Sequence, residues 1–107
     1  MNVYLRNIGD PELRRVTWED YLGLLQLAFH DGWRTPRLER AYAGEGWDSL
    51  FHDYLPDSTV NRVDAHALYV ALKPYRWAKN LPAARASLVT LLRVCRGGAF
   101  LVRAMRL

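Results

Sequence analysis

The sequence predicts a small single α+β domain over residues 1–107, with three to four helices packed on a short two-stranded sheet formed by the chain termini. Three observations predict it. A β-prone run closes in Gly9-Asp10-Pro11 near the start, and a second apolar run, Ala99 to Met105, follows Gly97-Gly98 near the end. Between them lie segments with apolar residues at helical spacing. Half of the 107 residues are apolar and a quarter charged, a globular composition with enough length to bury roughly two thirds of the unfolded surface.

Residues 2–8 read as the first strand. Thr17 opens a helix, with Asp20 three residues on as in a capping box. Trp18, Tyr21, Leu22, Leu25, Ala28 and Phe29 form its apolar face, which Leu24 and Leu27 widen. Glu19, Gly23, Gln26 and His30 are left as a thin polar stripe, and Gly32 is the expected stop. Thr35-Pro36 predicts a short helix through Ala43. Residues 45–57 read as irregular, with Trp47, Phe51 and Tyr54 among Glu45, Asp48, Asp53 and Asp57.

Asn61 is the expected cap of the next helix, with Asp64 at N3 and Ala65, Leu68, Tyr69 and Leu72 inside. Residues 73–80 connect to a final helix that Pro82 is expected to open at N1. Leu81, Ala84, Leu88, Leu91, Leu92 and Cys95 share its apolar face, and Gly97-Gly98 ends it. The terminal strands are expected to pair, because a lone strand leaves its backbone unsatisfied.

These landmarks fall in a recognisable order: Leu25-Gln-Leu-Ala28, Gly32-Trp33 with Pro36, Trp47 through Tyr54, Asp64-Ala65 with Leu68 and Leu72, and Cys95-Arg96-Gly97-Gly98-Ala99-Phe100. The order resembles a group of small uncharacterised bacterial proteins with Gly-Trp, Trp…Tyr, Asp-Ala…Leu and Cys-Arg-x-Gly-Gly motifs. Ala99 is a departure, since the group more often runs from the glycines straight into an aromatic. The resemblance implies the order of elements and brings no activity.

Charge is the informative property. From residue 65 onward there are eight cations (Lys73, Arg76, Lys79, Arg85, Arg93, Arg96, Arg103, Arg106) and no acid, while residues 1–64 hold all eleven acids and seven arginines. A one-sign surface attracts polyanions or a complementary protein face. The candidate binding residues are Lys73, Tyr75, Arg76, Trp77, Lys79, Arg85, Arg93 and Arg96. Tyr75 and Trp77 alternate with cations, which fits either two rings tucked into the core with arginines snorkelling around them or a layout able to stack bases or anchor a partner. Arg85, Arg93 and Arg96 lie within about 80° on one helix flank.

The signatures of catalysis are missing from the sequence. His30, His52 and His66 have no chelating spacing, and the single Cys95 falls on an apolar helix face. No nucleophile elbow surrounds a serine, and Gly97-Gly98 follows a helix where a phosphate loop precedes one. No cofactor, metal or catalytic residue is therefore expected. Neither a signal peptide nor a membrane span is read, so a cytoplasmic protein is expected. The expected role is a non-enzymatic protein-interaction module, regulatory or immunity-like. Its partner is a protein with an acidic face or a second copy of the chain. The alternative is RNA or single-stranded nucleic-acid binding through the Lys73–Arg96 patch.

Overall fold

The structure, a computed structural model, describes residues 2–33 and 58–105. The short helix expected over 35–43, the acidic stretch 45–57, His52 and Arg106 lie outside the described residues.

β1 (Asn2–Asn7) buries Val3 and Leu5 and leaves Tyr4 and Arg6 half-buried on the opposite face, the two-residue period of a strand covered on one side. It turns through Gly9, at φ 89°, into β2 (Arg14–Thr17), whose Val16 faces Val3 across the hairpin. α1 (Trp18–His30) begins at once, and the Thr17 hydroxyl accepts the Asp20 amide at 3.1 Å. It ends in a Schellman arrangement. Gly32, at φ 100°, donates to the Phe29 carbonyl, and Trp33 donates to that of Ala28 at 2.9 Å, which places the buried Trp33 against the core.

β3 (Ser58–Val60) leads directly into α2 (Arg62–Leu72). Asn61 caps α2 through the Asp64 amide at 2.8 Å, and the Asp64 carboxylate accepts from the Asn61 side chain at 3.2 Å. That reciprocal pair is why Asp64 sits buried. A 3₁₀ helix (Lys73–Trp77) prolongs α2; then come α3 (Arg85–Arg96) and β4 (Phe100–Met105).

The sheet is antiparallel with order β2-β1-β4-β3. The terminal strands do pair, Asn2 with Met105 through Asn7 with Phe100. The expected two-stranded sheet is corrected to four strands among the described residues. The two missed strands are edges: β2 buries a single side chain, Val16, and β3 is three residues long, so neither carries a readable alternation. Helices α1 and α3 cover the face bearing Val3, Leu5, Val16, Phe100 and Val102, and α2 packs on both helices.

The start of the last helix is also corrected. Its first residue is Arg85, not Pro82, and the N-cap Ala84 makes no side-chain bond. Contact with α1 overrides the proline preference: a Cβ on Gly23 would stand 3.2 Å from the Pro82 carbonyl oxygen. The Ser87 hydroxyl donates to Asp20 at 2.6 Å. Leu81 and Ala84 therefore precede the helix, and Ala84 is exposed.

Gly97 and Gly98 end α3, as expected. Gly98, at φ 102°, donates to the Cys95 carbonyl. The Val94 carbonyl accepts the Asn7 side-chain amide at 2.8 Å, in the place that a backbone amide takes in a full Schellman ending. A side chain at 97 collides with this bond, since its Cβ would lie 2.6 Å from the Asn7 amide oxygen. Asn7→Ala and Gly97→Ala are each expected to cost about 1 kcal/mol by removing this bond, while the Val94 carbonyl keeps the Gly97 amide at 3.0 Å. The double variant should fall well short of the sum, because both remove one interaction. Urea titration of the three variants measures this.

Candidate binding face

α2 changes its winding where Pro74 removes a backbone donor, and Lys73–Trp77 closes as a 3₁₀ helix. With three residues per turn, successive side chains stand about 120° apart, so one facing inward turns its neighbours outward. Tyr75 is the inward one, half-buried against the core cluster. Partial burial, then a hydrogen bond to the Asp31 carboxylate and its charge, push the Tyr75 phenol above its usual value. Arg76 and Trp77 point out. Trp77 is 82% exposed, and the Arg76 guanidinium lies 5.4 Å from the centre of its ring.

Across from this turn, α3 presents Arg93 and Arg96. They meet Lys73 and Arg76 around a cavity of about 130 Å³ floored by Tyr69, Val89 and Leu92. The Lys73 ammonium lies 5.8 Å from the Tyr69 ring centre. No carboxylate among the described residues lines this cavity. Among the described residues the ion pair is Arg14–Glu12, at 3.0 Å between the start of β2 and the turn before it, and no carboxylate pairs with the four cations. Their charges add, and the groove walls focus the field outward.

Of the eight candidates, then, Lys73, Arg76, Arg93 and Arg96 come together, with Trp77 beside them. Tyr75 turns away to Asp31. Arg85 is a clamp: its two terminal nitrogens donate to the Arg76 and Ala78 carbonyls and hold the loop to the start of α3. Lys79 is exposed beyond the turn and does not line the cavity.

Sequence reasoning missed Arg62 and His66, which line an adjoining open cavity of about 620 Å³ with Arg96 and Gly97-Gly98. It also missed Val63 and Val70, 74% and 56% exposed on the same side of α2. The signal was present, since 62, 63, 66, 70 and 73 share one arc, about 100° wide, beside the apolar stripe.

The face offers no nucleophile. Burial pushes the Cys95 thiol far above its ordinary value of 9.0, so it stays protonated in the core. The unfolded thiol ionises above about pH 9 while the folded one holds its proton, so this group's stabilising contribution is full below that pH and is lost as pH rises. Cys95→Ala is expected to flatten the alkaline decline in melting temperature above pH 9. Among the described residues no three His, Cys, Asp or Glu side chains gather as a metal would need. No helix among them is long and apolar enough to cross a membrane.

Comparison with protein-family models, with curated proteins and with solved structures returns no match. The likeness to the small bacterial group rests on its landmark order alone.

Proposed function

We propose that the chain is a protein-interaction module that takes an acidic partner on the face built by α2, the 3₁₀ turn and α3. The observation that carries this is Trp77, 82% exposed beside cations that no described carboxylate neutralises. A large aromatic left in water costs solubility and is the residue type that most often anchors an interface. Charge around it gives encounter rate and partner choice.

The withdrawal of Tyr75 favours a protein over a single-stranded nucleic acid. Stacking needs successive exposed rings, and among the described residues this face offers one, Trp77. Exposed Val63 and Val70 instead extend the apolar surface along α2, which another protein can bury and a phosphate backbone cannot. A regulatory or immunity-like role in the cytoplasm belongs to the same reading.

Trp77→Ala tests it. The indole makes little contact with the core, so stability should stay within about 0.5 kcal/mol of the parent. Affinity for the partner should drop by about 2 kcal/mol or more, some thirtyfold. Isothermal titration of parent and variant against the captured partner reads the difference, and an unchanged affinity contradicts the proposal. Light scattering shows whether the partner is a second copy. A preference for RNA, with a steep log–log salt slope, would replace the reading.

A further inference from the structure

The two cavities on this face adjoin. They share Tyr69 and Arg96, so their linings together follow the groove between α2 and α3 from Arg76 at the 3₁₀ turn to Arg62 at the head of α2. Five permanent cations line it: Arg62, Lys73, Arg76, Arg93 and Arg96. Among the described residues the acids of its two helices are accounted for. Asp64, the one carboxylate of α2, is buried in the cap with Asn61, and α3 carries none. Between the charged rims lie Tyr69, Val89 and Leu92.

We propose that this groove takes its partner as a linear acidic segment, with carboxylates on the rims and apolar side chains on the floor between them. The proposal rests on the protein-interaction reading and says which shape of partner the face accepts. Convex globular surfaces reach the rims and leave the floor wet; a single extended strand reaches both. Alternating side chains of an extended strand suit a floor flanked by guanidinium groups, and each arginine fork can hold a carboxylate by two bonds. The length follows from the helices. Eleven residues of α2 rise about 16 Å and the five of the 3₁₀ turn about 10 Å, so roughly eight extended residues span the groove. Trp77 stands at one end, where it can close over the last residue.

Titrating ¹⁵N-labelled protein at low salt with two synthetic peptides of alternating Glu and Leu, one of about eight residues and one of about four, tests this. The longer peptide is expected to shift the Trp77 indole together with the amides of Arg62, Val63, Gly97 and Gly98, and to bind about tenfold more tightly than the shorter. Shifts confined to Lys73–Trp77, with equal affinity for the two lengths, would overturn the linear groove while leaving Trp77 as a partner anchor. Absence of shifts with either peptide overturns it too, and the Trp77→Ala titration then judges the wider reading separately. Displacement of the longer peptide by a thymidine octanucleotide at lower concentration would also overturn it, in favour of single-stranded nucleic acid.

Discussion

Phe100→Ala is expected to cost about 3–5 kcal/mol, among the largest losses that a single truncation of the described residues should produce. Phe100 is fully buried and lies in register with Asn7 of β1 on one side and Val60 of β3 on the other. Removing its ring opens a cavity where the sheet meets the helices, and the paired backbones on either side limit collapse around it. Domains of this size hold about 5–15 kcal/mol in total, so the variant should melt some 15–30 °C lower or be unfolded at room temperature. Leu101→Ala is the internal control. Leu101 is half-buried on the opposite face of the same strand, and its truncation should cost about 1 kcal/mol. Calorimetry of the two variants side by side decides it; similar melting temperatures would contradict the assignment of the inner face.

Arg93→Glu with Arg96→Glu is expected to abolish partner binding, a fall of at least about a hundredfold. Each reversal removes an attraction and adds a repulsion, and the two positions lie one turn apart on the same rim. Folding should survive. Both side chains are exposed and no described carboxylate depends on them. Their one structural duty is at the negative end of the α3 dipole, where reversal costs about 0.3–1 kcal/mol per site. The binding loss therefore exceeds the stability loss, and urea titration beside isothermal titration separates the two. Unfolding that accounts for the whole effect would contradict the role of the groove.

Helices were legible where a cap and a period coincide. Thr17 with Asp20 and Asn61 with Asp64 each mark a start that the structure bears out, and Gly32 and Gly98 mark the stops. Those signals are local: a side-chain oxygen three residues from an amide, or a residue free to take positive φ. The start of α3 was misread because its determinants are not local. Pro82 sits against Gly23, and Ser87 bonds Asp20, 67 residues away in sequence. Edge strands β2 and β3 were missed for a related reason, since their pairing partners supply the pattern that their own few residues lack.

The site divides the same way. The meeting of Arg93 with Arg96 follows from helical spacing and was readable, whereas exposure of Trp77 was not, since residues 73–80 read as a connector whose two rings could equally pack into the core. The loss of Tyr75 to the core follows from the tighter winding that Pro74 brings, which turns alternate-looking residues to opposite sides. Arg85 shares its flank with Arg93 and Arg96 by angle, yet its first-turn position puts it within reach of the Arg76 and Ala78 carbonyls, and those bonds take it from the groove.

Overall charge alone draws acidic proteins to a basic chain, so the direct test compares two variants of equal net charge. Arg93→Glu/Arg96→Glu reverses the groove; Arg6→Glu/Arg15→Glu reverses two cations on the outer face of the sheet. Titrated against the same acidic partner across a range of salt, the sheet variant is expected to keep near-parental affinity and the groove variant to lose it at every concentration. Equal losses in the two variants, or none in either, would contradict a binding face between α2 and α3.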